Sequence, residues 1–146
     1  MMKKTLVAAA LTTLVGCSTF APSKCDTQTC NTALAIASGL NDMAKDKTVF
    51  NDVIMLGGAV AEGPVVNVTM YLSGKNADLF QQAIANHPNM DKQLKQDMRT
   101  GVTAKSCDIP AFRQFVAQGG SIRYSINYMT TNQQYYEMEI ESCPNA

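Results

Sequence analysis

The chain has 146 residues, of which 46% are apolar, 7% aromatic and only 16% charged; that is enough apolar material for one core and too little length for two domains. Twelve basic residues balance twelve acidic ones, which excludes the basic footprint of a nucleic-acid-binding protein, and the composition is neither disordered nor collagenous.

Met1 and Met2 precede the pair Lys3 and Lys4, and an apolar run follows from Leu6 to Val15. This is the pattern of a secretory signal, too short to span a bilayer as a helix. It closes on Leu14-Val15-Gly16-Cys17, which resembles the bacterial lipobox: small residues fit the signal peptidase, and the cysteine thiol at the cleavage point receives a diacylglycerol. Residues 1–16 are therefore expected to be a lipoprotein signal peptide, and residues 17–28 a lipidated N-terminus and tether. Residues 29–146 then form a single α+β domain, and the mature chain from Cys17 onward carries ten basic against twelve acidic residues. Apart from the diacylglycerol and N-acyl lipid on Cys17, no cofactor is expected. Each buried methylene contributes about 0.8 kcal/mol, so several acyl chains hold firmly where one binds marginally. The residue after Cys17 is Ser18 and not Asp. By resemblance to Gram-negative lipoproteins, this implies transfer by the lipoprotein sorting machinery to the outer membrane, facing the periplasm.

Four further cysteines, Cys25, Cys30, Cys107 and Cys143, are an even number in an exported chain, the arithmetic of two disulfides with three possible connectivities. Cys25 and Cys30 are close enough to close a small loop, in which case Cys107 and Cys143 bridge the middle of the chain to its end. Their C-x4-C spacing is not the C-x-x-C of a redox pair, and the single histidine, His87, sits beside Pro88. Structural disulfides are the expectation over redox or metal chemistry.

Ala33, Ile36, Ala37, Leu40, Met43 and Ala44 recur three and four apart, with Asn41, Asp42 and Lys45 opposite, which predicts an amphipathic helix over Thr29 to Lys47. The β-branched stretch Val49 to Leu56 predicts a strand broken by Gly57-Gly58, continuing towards Val60, with a turn at Glu62-Gly63-Pro64. Val66, Val68, Met70 and Leu72 alternate with polar residues as a strand with one buried face. Asn76 is placed to cap a helix carrying Leu79, Phe80, Ala83 and Ile84, which ends before Pro88. In a second helix Met90, Leu94 and Met98 lie four apart, and Gly101 stands where a left-handed C-terminal residue belongs. Asp108 is predicted to cap a third helix, with Pro110 in its first turn, Phe112, Phe115 and Val116 inward, and Gly119-Gly120 at its end. A hairpin closes the chain: Ile122, Tyr124, Ile126 and Tyr128 alternate with polar residues, a turn spans Thr130 to Gln133, and Tyr136, Met138 and Ile140 alternate with Glu137, Glu139 and Glu141 on a solvated face opposite Arg123. For Cys143 to reach Cys107, this last strand has to end or twist near Ser142. The expected fold is α+β, a mainly antiparallel sheet of four to five strands packed with an N-terminal helix and two to three central helices and stapled by disulfides.

This order of elements resembles the β-type pilotins of the type II secretion system. So do the lipobox and the stretch Cys107-Asp108-Ile109-Pro110, followed by Gly119-Gly120-Ser121-Ile122-Arg123-Tyr124-Ser125-Ile126-Asn127 and closed by Cys143. The similarity is detailed from Cys107 onward and general before it. It implies a Cys107–Cys143 disulfide and a lipid-anchored chaperone that binds the C-terminal helix of a secretin subunit in an apolar groove and guides it to the outer membrane. Cys25, Cys30 and the helical segment around Met90 to Ser106 depart from the family's usual pattern. The flexible apolar side chains Leu40, Met43, Phe80, Ile84, Met90, Leu94 and Met98 are the candidate walls of such a groove. No phosphate loop, serine-nucleophile motif or paired metal ligands are present in the sequence, so an enzyme is not expected. The competing reading is an envelope lipoprotein that acts as an inhibitor or a structural binding module.

Overall fold

The computed structural model describes residues 26–46, 54–73 and 77–144. In chain order these form α1 (Thr27–Lys45), β1 (Ile54–Glu62), β2 (Val65–Leu72), α2 (Ala77–Asn86), α3 (Pro88–Asp108), α4 (Pro110–Ala117), β3 (Ser121–Tyr128) and β4 (Gln134–Ile140). Cys17, Cys25, Asn76 and the stretch Val49 to Val53 lie outside the described residues.

Helix α1 begins two residues before the sequence suggests, because Asp26 caps it. The Asp26 carboxylate accepts from the Thr29 N–H at 2.9 Å and from the Thr29 hydroxyl at 2.7 Å, satisfying a donor that the helix itself leaves open. These two bonds hold the Asp26 carboxyl below its usual range. Ala33, Ile36, Ala37 and Leu40 form the buried stripe, as the periodicity predicts.

The four strands lie in the order β1-β2-β3-β4. Pairs β1–β2 and β3–β4 are antiparallel hairpins, whereas β2 and β3 run parallel, in register from Val65 opposite Ser121 to Leu72 opposite Tyr128. A parallel pair needs a crossover, and α2, α3 and α4 supply it. One face of the sheet is apolar and buried, with Val66, Val68, Met70 and Leu72 on β2 and Ile122, Tyr124, Ile126 and Tyr128 on β3. The opposite face is polar. There Arg123 pairs with Glu139 at 3.0 Å and the Ser121 hydroxyl donates to the same carboxylate. The Ser121 bond and then the arginine hold Glu139 below the usual carboxylate range.

The Gly57-Gly58 pair does not break β1; it makes a bulge. Leu56 faces Met70, Gly58 faces Thr69 and Ala59 faces Val68, so Gly57 is the extra residue and both Leu56 and Ala59 stay buried although three apart. Gly58 sits at φ +141° with the Asn41 side-chain oxygen 2.9 Å from where a Cβ would stand. Asn41 was expected on the polar face of α1, and it is exposed, but its amide also clasps β1. It donates to the Ala59 carbonyl and accepts from the Ala59 N–H, both at 2.8 Å, taking the two outward groups of an edge strand.

Two expectations for the central helices are overturned. Gly101 does not end a helix, because α3 runs through it for 21 residues. The last turn is held by tertiary contacts stronger than glycine's preference. Ser106 shares a buried hydrogen bond of 2.7 Å with Tyr124, and Cys107 bonds to Cys143. Asp108 does not cap α4; it is the last residue of α3, and Ile109, in extended conformation with no side-chain cap bond, takes the N-cap position. Pro110 still opens α4, and Phe115 and Val116 are buried while Phe112 is half-buried.

The Cys107–Cys143 disulfide joins residues 36 apart in sequence at a Cα–Cα distance of 5.6 Å, so one of the three connectivities is realised for this pair. Strand β4 ends at Ile140, which frees Cys143 from the alternation that would have pointed it away. Cys30 is also disulfide-bonded, and its partner lies outside the described residues. Cys107→Ser with Cys143→Ser is expected to lower stability by about 4 kcal/mol on the chain-entropy model, read as a lower denaturant midpoint against an unchanged wild type under non-reducing conditions.

Candidate binding groove

Helix α1 lies over β1 and β2, while the C-terminal half of α3 and the start of α4 lie over the same face of the sheet. Helix α1 meets α4 at one end, where the Thr29 hydroxyl donates to the Gln118 carbonyl at 3.4 Å, but α1 and α3 do not close on one another. Between them runs a groove of about 680 Å³, floored by Ile54 and Leu56 of β1, Val68 and Met70 of β2 and Tyr124 of β3. One wall is α1, through Ala35, Ile36, Gly39, Leu40 and Met43; the other is α3, through Met98, Gly101 and Val102, continued by Ile109 and Phe112.

The floor's polar groups are paired with each other. The Tyr124 hydroxyl and Ser106 Oγ lie 2.7 Å apart and buried, and burial pushes the tyrosine's pKa up, so it stays neutral. Lys105 is the one charged side chain among the lining residues. The groove therefore presents an apolar surface open to solvent, where Met43 and Ile109 are 43% and 44% exposed. Large apolar side chains left this open in a concave site make it the candidate binding surface.

Gly39 on α1 and Gly101 on α3 both line the groove, and a Cβ built on either meets nothing within 4 Å. A helix-interior glycine costs about 1 kcal/mol relative to alanine. Both helices carry that cost where their walls are open.

Of the seven residues predicted to line a groove, Leu40, Met43 and Met98 do so. Phe80 and Ile84 on α2 do not, nor do Met90 and Leu94, because α3 is long: Met90 lies about 18 Å along the axis from Val102 at about 1.5 Å per residue. The N-terminal part of α3 packs with α2 instead, against the β3–β4 hairpin. Phe80 meets the Tyr135 ring edge-on at 5.8 Å, Ile84 is buried in the core, Leu94 packs half-buried against it, and Met90 is 44% exposed. Periodicity missed Ala35, Gly39, Gly101 and Ile109. The signal for the first two was in view, small residues four apart beside the stripe Ile36-Leu40-Met43.

At the hairpin end, Asp91 accepts from the Tyr135 hydroxyl at 2.8 Å and from Lys95 at 2.9 Å, with the Lys95 ammonium 5.0 Å from the Tyr135 ring centre. Lys95 and then Tyr135 hold the Asp91 carboxyl low, while burial and the Asp91 carboxylate push the Tyr135 hydroxyl well up. Among the described residues no three His, Cys, Asp or Glu side chains come together to hold a metal ion, and no helix is long and apolar enough to cross a membrane.

No family model matches the sequence, and no curated protein does. Among solved structures, the pilotin EpsS of the Vibrio vulnificus type 2 secretion system is similar at a TM-score of 0.53 and 14% identity, over 82% of this chain and 91% of EpsS. The chain has the fold of a solved pilotin. At that identity the likeness is one of fold. The type II secretion pilotin AspS of Vibrio cholerae gives a TM-score of 0.48 at 13% identity, over 77% of this chain and 92% of AspS. A protein of Pseudomonas aeruginosa inferred to be secreted gives 0.49 at 18%, over 75% and 92%.

The ion pairs make stability depend on pH in a defined sense. Asp91 and Glu139 have folded pKa values below their ordinary 3.8 and 4.5, so their contribution is present above those values and is lost as pH falls through the lower, folded ones. Tyr135 is raised above its ordinary 10.0, so its contribution holds below pH 10 and is lost above it. Urea midpoints across pH should show both limbs, with the acid limb shallower in Asp91→Asn and the alkaline limb shallower in Tyr135→Phe; unchanged limbs would remove these groups from the account.

Proposed function

We propose that the chain is a lipid-anchored pilotin, a chaperone that takes the C-terminal helix of a secretin subunit into the groove between α1 and α3 and promotes the subunit's outer-membrane targeting and assembly in type II secretion. The observation that carries this reading is an open, apolar, helix-walled groove on a fold shared with a solved pilotin. An amphipathic helix docks by laying apolar anchors spaced three and four apart into such a groove. The floor of paired strands and the two long walls suit that mode better than catalysis, which needs converging polar groups. The lipobox supports anchoring through Cys17, and Ser18 supports an outer-membrane destination; both rest on the sequence.

Gly39→Leu places a side chain in the open groove, and its Cβ meets nothing within 4 Å. Helix propensity then favours folding by up to about 1 kcal/mol, while the groove is filled. In a host lacking the gene, secretin multimers should be scarce or stranded in the inner membrane; the wild-type chain should restore them and Gly39→Leu should not, although its circular dichroism and melting are intact. Normal multimers in the deletion strain would overturn the pilotin reading and favour the inhibitor or structural lipoprotein. Cys17→Ser should lose labelling by radioactive palmitate, and equal labelling of both proteins would exclude Cys17 as the anchor.

A further inference from the structure

The groove carries charge at one place. Lys105 lies in the last turn of α3, four residues after Gly101, so that the two share a face. It is exposed, and no carboxylate among the described residues pairs with it; Asp108, three residues on, does not, and the three ion pairs present use Lys45, Lys95 and Arg123. An ammonium at a groove lip, with an apolar surface on one side and water on the other, attracts an opposite charge more strongly than one on open surface does.

Resting on the groove reading above, we infer that Lys105 sets the specificity of this site: it selects an amphipathic helix that carries an Asp or Glu side chain beside its apolar stripe. The apolar anchors bind in the channel between Gly39 and Gly101, and the carboxylate sits at the lip on the α3 side. The α1 wall offers only Thr32, alanine, glycine and apolar side chains. The charge asymmetry between the walls therefore fixes which way round the incoming helix lies, since only one edge of its stripe can meet the lysine. A basic residue at that edge is disfavoured, which discriminates against helices of equal hydrophobicity and the wrong charge.

The test uses the full chain in mild detergent and two designed peptides of roughly 18 residues, five helical turns, that share one leucine–alanine stripe. One carries glutamates along an edge of the stripe and the other lysines. The glutamate peptide should bind about fivefold more tightly at low ionic strength, as expected for a charge pair at an interface rim. The preference should fade in strong salt and reverse in Lys105→Glu, whose fold is checked by circular dichroism. If both peptides bind alike and Lys105→Glu changes nothing, Lys105 is not the selector, although the groove still takes helices. If neither peptide binds, the groove reading itself fails, and this inference fails with it.

Discussion

Strands β2 and β3 run parallel, so the chain that leaves Leu72 at one end of the sheet has to return to Ser121 at the other, and it does so through α2, α3 and α4. Only one face of the sheet is apolar, and the crossover helices must cover it. Helix α1 arrives on that same face from the opposite side, over β1 and β2. Two sets of helices on one face leave a gap wherever they do not meet, and the groove is that gap. Its floor is sheet and its walls are helix because α1 and the crossover helices cover the same face.

The walls are held rigidly. Asn41 ties α1 to the β1 edge through both polar groups of Ala59, and the Gly57-Gly58 bulge turns those groups outward while keeping Leu56 and Ala59 in the core. On the other side, the Cys107–Cys143 disulfide and the Ser106–Tyr124 bond fasten the end of α3 to the sheet, and the Arg113 guanidinium donates to the Cys107 carbonyl at 2.7 Å. A site pre-formed in this way loses less entropy when a partner binds. The two helix-interior glycines, each unfavourable for its own helix, leave both walls of the channel without a side chain at those points.

Much of the fold is legible in the sequence, because the clearest signals are local. Alternation along Val66 to Leu72 and Ile122 to Tyr128 marks two strands with one buried face each, and the stripe from Ala33 to Leu40 marks α1. Local signals failed where distant residues decide. Gly101 resembles a helix end until the contacts of Ser106 and Cys107 are known, and Asp108 resembles a cap until α3 is seen to run into it. The parallel direction of β3 depends on the whole crossover and not on any residue in it. Four of the seven groove candidates went to the hairpin end for the same reason: methionines and leucines at helical spacing show which face of a helix is apolar, but not what that face meets. Helix α3 serves Tyr135 with its first half and the groove with its second.

The claim at the centre of this account is that a helix enters between α1 and α3. Amide chemical shifts of the chain, followed by NMR during titration with the C-terminal peptide of a secretin from the same genome, test it most directly. A helix seated there gives saturable changes concentrated at Gly39, Met43, Gly101 and Ile109, with the polar face of the sheet around Arg123 and Glu139 unaffected. Changes confined to that polar face or to the Phe80–Tyr135 end, or no change at a peptide concentration that saturates a known pilotin, would contradict it.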